Sequence, residues 1–120
     1  MGLTHEAIQR IRDAVGDDDH TIADILQSFV DEVDGLLGHL TAAAASDDLK
    51  TLYRIAHTLK SSCRDLGDEA TGDLCAKLES DARAGSVLDI SAASKTISDR
   101  VLALKSEVVG YLALRKGSSG

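Results

Sequence analysis

The sequence contains no proline and no tryptophan, and only three aromatic residues, Phe29, Tyr53 and Tyr111. Without proline, no helical stretch is forced to break in its interior. With so few aromatics and no run of alternating apolar residues, little remains from which to build strands. Two cysteines, Cys63 and Cys75, are too few for a disulfide scaffold in a chain of 120 residues, and they point to a reducing cytoplasmic setting. An excess of basic charge is also lacking. Thirteen Lys and Arg against twenty Asp and Glu leave a net charge of -7, which excludes a basic nucleic-acid stripe and an anionic membrane surface as partners. No apolar run approaches the ~18 to 20 residues needed to span a bilayer, and no signal peptide opens the chain. Neither a P-loop nor a kinase-type glycine-rich loop is present.

What is there is helical. The length suits one domain, over residues 1–115 with 116–120 as a flexible tail, burying roughly two-thirds of its unfolded surface. Thr4 is placed to cap a first helix carrying Ala7, Ile8, Ile11 and Val15 on one face, with Gly16 as its stop. Asp17, Asp18 and Asp19 suit the positive end of a second helix, and the ligand pattern of a calcium loop is missing. That helix, about Thr21 to Ala45, has the longest stripe: Ile22, Ile25, Leu26, Phe29, Val30, Val33, Leu36, Leu37 and Leu40. Gly35 and Gly38 in its interior mark either close helix contact or a bend. Ser46, Asp47 and Asp48 separate it from a third helix ending at Gly67, and a fourth runs from Asp68 to Ala84 before Gly85. Ser86 and Asp89 have capping-box spacing for a fifth, with Ile90, Ala93, Ile97, Val101, Leu104, Val108, Tyr111 and Leu112 inward. Connections this short make neighbours antiparallel. The expected fold is all-α, an up-down-up-down four-helix bundle with the short N-terminal helix across one end.

Chemistry concentrates in the third helix. Leu52, Ile55, Ala56, Leu59, Cys63 and Leu66 form its apolar stripe, while Tyr53, Arg54, His57, Lys60, Ser61 and Arg64 lie on the other side. A mid-helix histidine on a polar face can be an idle solvated residue, a metal ligand or a nucleophile. Metal binding lacks local support, since i+3 and i+4 are Lys60 and Ser61 rather than ligands. A nucleophile carrying an anionic group needs cations and access, and Lys60, Arg64 and the small Ser61 and Ser62 offer both. Turning the chain at Gly67-Asp68 brings Glu79 level with His57, each eleven residues from Asp68. A carboxylate there can fix the tautomer of the ring and free its other nitrogen. The same level argument sets Gly72 and Ala76 opposite Arg64 and Lys60, leaving that side of the histidine uncrowded, and sets Cys63 opposite Asp73 rather than Cys75. Lys60 itself reads as lying on the exposed face, and its replacement by Ala is expected to change stability by less than about 0.5 kcal/mol. His5, His20 and His39 read as surface residues.

His57-x-Leu59-Lys60-x-Ser62, then Gly67, then Leu74-Cys75-x-x-Leu78-Glu79 resembles the signature of histidine-containing phosphotransfer (HPt) domains. Ser61 stands where that family often has glycine. The resemblance implies the same bundle and a phosphorelay intermediate, with His57 accepting a phosphoryl group from one receiver-domain aspartate and passing it to another. It further implies that Glu79 orients the histidine. Lys60 would neutralise phosphoryl oxygens, with Ser61, Arg64 and Arg54 at the phosphate and partner surface. No kinase activity and no metal site of its own are expected, magnesium arriving with the receiver. Partners would be response-regulator receivers or a hybrid histidine kinase, met by a monomer. The alternative from another class is a helical adaptor that binds receiver-like partners without being phosphorylated.

Overall fold

The computed structural model describes residues 2–16, 18–86 and 89–118, and among these every regular element is a helix. They are α1 (His5–Ala14), α2 (Asp19–Ala45), α3 (Leu49–Asp65), α4 (Glu69–Ala84) and α5 (Ile90–Ser118). Local chemistry sets the starts. Thr4, Asp18, Asp48 and Asp68 cap the first four helices, each side-chain oxygen accepting a backbone N–H of the first turn. Of the aspartate trio, Asp18 is the cap and Asp19 lies in the first turn, while Asp17 falls outside the described residues.

The start of α5 differs from the capping box expected at Ser86. Asp89 is the cap, accepting from Ala92 N at 3.0 Å. The Ser86 amide is instead spent closing α4, donating to Asp81 O at 3.0 Å behind the left-handed Gly85. The backbone of α5 continues to Ser118, and Ser119 and Gly120 of the expected tail lie outside the described residues.

Helices α2 to α5 form the up-down-up-down bundle around one core, with α1 against α2 and the α3–α4 turn. Leu26, Val33 and Leu40 of α2 meet Leu52, Ala56, Leu59 and Cys63 of α3, Cys75 and Leu78 of α4, and Ile97, Val101, Leu104 and Val108 of α5, all buried. Each large aliphatic side chain in this set contributes roughly 1.5 to 3 kcal/mol by leaving water. Ile25, counted in the α2 stripe, is 40% exposed. Gly35 and Gly38 have open space where a Cβ would stand, so close helix contact is not their role.

The turn that matters for the site is Gly67-Asp68. Asp68 N donates to Cys63 O at 2.8 Å, and Asp68 caps α4 by accepting from Thr71 N at 3.1 Å. Gly67 has φ +94°, and a Cβ there would strike the Thr4 hydroxyl that caps α1. Thr4 N in turn donates to Leu66 O at 3.1 Å, while Gly2 N and Leu3 N donate to the Glu107 carboxylate. The N-terminal segment is thus fastened to the hairpin and to α5. Gly67→Ala combines an unfavourable φ with a clash against the cap and should destabilise the fold by about 2 kcal/mol or more, measurable by urea unfolding.

Candidate functional site

Helices α3 and α4 make the most extensive helix pair of the bundle. On its solvent side three side chains converge. His57 Nδ1 lies 2.5 Å from Glu79 Oε2, and Lys60 Nζ lies 2.5 Å from Glu79 Oε1. The Glu79 side chain is only 13% exposed, whereas His57 is 58% exposed. The ammonium of Lys60, and after it the hydrogen bond from His57, hold the Glu79 carboxyl below its ordinary value of 4.5, against the opposing pull of burial. An ionised carboxylate only accepts, so Nδ1 is the donor, and in the neutral ring Nε2 then keeps its lone pair. Nε2 has no hydrogen-bond partner among the described residues. The level argument from the sequence places Glu79 correctly.

Lys60 differs from its sequence reading. Its side chain is 21% exposed and tied to Glu79, so it is a half-buried partner rather than a solvated residue. The stem crosses the α3–α4 seam because only there can the ammonium reach a carboxylate that burial has stripped of water. Arg64 turns the same way. Nη2 contacts Asp73 Oδ1 at 3.1 Å, and Nε stands 3.7 Å from Glu69 Oε2, too far for a hydrogen bond. A Cβ on Gly72 would lie 2.7 Å from Arg64 Cγ, so the space expected to keep the site open is filled by the stem of Arg64. Arg54 and Ser61 are exposed on α3, and no ion pair joins them to the site among the described residues.

The cysteines also depart from the level argument. Both are buried and free, and their thiols face each other across the hairpin. The hydrogen bond to Cys75, together with burial, pushes the Cys63 thiol up. Asp73, which equal height set opposite Cys63, points outward to Arg64 instead. Apolar faces of two helices interleave at staggered heights, so the inward residue nearest in height wins over the one at equal height. His5, His20 and His39 are exposed, as read from the sequence.

Two residues given no role in the sequence reading belong to the surroundings of the site. Tyr53 stacks on His57, with ring centroids 6.3 Å apart and planes inclined by 16°. Arg83 lies over the Tyr53 ring with Cζ 5.4 Å from its centroid. Their signal was present in the spacing: Tyr53 is one turn before His57, and Arg83 is one turn after Glu79. Beside the hairpin turn, a groove of about 640 Å³ runs between α1, α2 and the ends of α3 and α4, lined by Ile11, Val15, Ile25, Phe29, Ser62 and Arg64 among others.

The ion pair sets a pH dependence. A depressed carboxyl pKa contributes stability above the unfolded value and loses it as pH falls through the folded one. Lys60→Met keeps the stem but removes the charge, and should cost about 1 kcal/mol near pH 7 for a partly screened pair. In chemical unfolding, that difference from wild type should shrink as pH falls below 4.5 and vanish once Glu79 is protonated in both states.

An antiparallel four-helix bundle that displays one carboxylate-held imidazole on its third helix defines a class of histidine-bearing carrier bundles. The fold is similar to that of histidine-containing phosphotransfer protein B (HptB) from Pseudomonas aeruginosa PAO1, with a TM-score of 0.81 over 93% of this chain and 95% of that one, at 20% identity. A stretch of 44 residues is 48% identical to sensor protein TorS from Escherichia coli (strain K12), covering 37% of this chain and 5% of TorS. The chain thus corresponds to a small part of that relative. Residues 24–107 match the Hpt domain family, and the chain belongs to it. Its general role is therefore that of a histidine phosphotransfer domain of phosphorelays, in line with the motif around His57. No helix among the described residues is long and apolar enough to cross a membrane.

Proposed function

We propose that His57 takes a phosphoryl group from the aspartyl phosphate of one receiver domain and passes it to an aspartate of another. What supports this reading above all is the Glu79 contact at Nδ1, which leaves Nε2 without a partner on an exposed ring. As Nε2 attacks phosphorus, an N–P bond forms, the P–O bond to the aspartyl oxygen breaks, and the donor leaves as a carboxylate. The Nδ1 proton stays in place throughout, and Glu79 offsets the positive charge that the ring acquires. Return transfer runs the same steps backwards onto the second aspartate.

Lys60 is one turn beyond His57, and its ammonium can bridge Glu79 and an incoming phosphoryl oxygen. Arg54, Ser61 and Arg64 on the same helix form the surface that meets the acidic pocket of a receiver, which the local positive charge would steer despite the acidity of the whole chain. The apolar groove beginning at Ser62 and Arg64 extends that surface. The one carboxylate at His57 is already occupied by Lys60 and the ring, so magnesium is held by the receiver's own acidic residues. The chain acts as a monomeric cytoplasmic carrier without kinase activity of its own.

Receiver domains charged with labelled acetyl phosphate test the reading. Label should move to this chain as an acid-labile, base-stable adduct and be absent in His57→Gln. An adduct that persists in that variant overturns the assignment, and binding without any transfer supports the adaptor alternative. A charge-assisted contact from Lys60 to the phosphoryl group contributes about 1.5 to 3 kcal/mol, so Lys60→Met should slow acceptance roughly ten- to a hundredfold in single-turnover kinetics.

A further inference from the structure

A single hydrogen bond holds a ring like a hinge. The Nδ1 contact to Glu79 fixes one edge of the His57 imidazole, yet the ring can still swing about that contact, carrying Nε2 off the line of attack. Attack on phosphorus needs the lone pair and the breaking P–O bond aligned, so residual swing costs rate. The structure supplies a second constraint. The half-buried Tyr53 ring lies nearly parallel to the imidazole, 6.3 Å away and 16° inclined, an offset stack between flat surfaces.

Tyr53 is in turn held from α4. Arg83 places Cζ 5.4 Å from the Tyr53 centroid, and its Nη2 is 3.4 Å from the Tyr53 hydroxyl. Arg83 has no carboxylate within ion-pair distance among the described residues, and its guanidinium lies on the aromatic ring. Alongside the Lys60–Glu79 and Arg64–Asp73 pairs, the Tyr53–Arg83 contact crosses the hairpin one turn from His57–Glu79.

We infer that Tyr53 and Arg83 are a positioning pair for phosphoryl transfer, Tyr53 backing one face of the imidazole and Arg83 holding Tyr53 against it. The inference rests on the phosphorelay reading for its rate consequence, and on the ring geometry alone for its spectroscopic one. Neither residue touches the reacting atoms; both act through the orientation of His57.

Two measurements on the whole chain test it: ring-proton and ring-nitrogen spectra of unphosphorylated His57, and single-turnover acceptance from a charged receiver at varied receiver concentration. In Tyr53→Leu the His57 ring protons should lose their upfield ring-current displacement while the Nδ1–H tautomer persists, because Glu79 is intact. Acceptance at saturating receiver should fall about three- to tenfold, with the half-saturating concentration unchanged. Tyr53→Phe keeps the stack and should restore both signals. Arg83→Gln, at an exposed position that spares the fold, should shift the ring protons partway and slow acceptance about twofold. It also decides the matter if Tyr53→Leu fails to fold. Wild-type ring shifts and rates in Tyr53→Leu, or in Arg83→Gln, would overturn the pair, as would a Phe variant no better than Leu. If the wild-type chain accepts no phosphate, the phosphorelay reading falls, and the ring-proton comparison of Leu with Phe still judges the positioning.

Discussion

The Glu79 carboxylate is shared between two side chains of the neighbouring helix, and the rest of the site depends on its being held there. A carboxylate as enclosed as this one is costly without partners. The ammonium of Lys60 supplies the charge that keeps it ionised, and the imidazole supplies a neutral N–H. Removing the cation leaves the carboxylate with the ring as its one remaining partner and weakens the hold on both. The shared carboxylate is what distinguishes one nitrogen of the ring from the other.

Because the three groups sit on two helices, their meeting is a question of register. The Gly67-Asp68 turn sets it, with Asp68 both accepting at the start of α4 and donating back to Cys63 at the end of α3. Burial of Leu52, Ala56, Leu59 and Cys63 against Cys75 and Leu78 then prevents sliding, since a shift of one residue would turn these apolar faces outward. The same hairpin also carries Arg54, Lys60, Arg64 and Arg83, with Lys60 and Arg64 paired to carboxylates of α4.

Much of this was legible in the sequence, for definable reasons. Helix extents followed from the 3.6-residue period and from Thr4, Asp48, Asp68 and Gly85, whose side chains or backbone freedom act within one turn of their own position. The meeting of His57 with Glu79 followed from the shortness of the turn, because little error accumulates over three helical turns. What the sequence did not disclose depends on side-chain direction across the seam. Period alone gives the face of Cys63, but the stagger that chooses Cys75 over Asp73 arises from interleaved packing. Long side chains behaved likewise: Lys60 and Arg64 read as outward by position, yet their stems lie over α4 toward carboxylates. The start of α5 lies at Asp89, whose carboxylate accepts from Ala92 N, while Ser86 belongs to the turn that closes α4.

The fastening of the first helix has a consequence for the order in which the molecule assembles and loosens. Thr4 bonds to Leu66, a partner far along the chain that takes its place only once the hairpin has closed. The hairpin's own contacts are local by comparison and can form early. Docking of the first helix therefore depends on a closed hairpin, whereas the His57–Glu79 contact does not depend on the first helix. When it lifts, one wall of the groove goes with it, taking Ile11 and Val15, while the histidine and its carboxylate stay joined within the hairpin. The apolar surface beside the hairpin can therefore open without breaking the contact between His57 and Glu79.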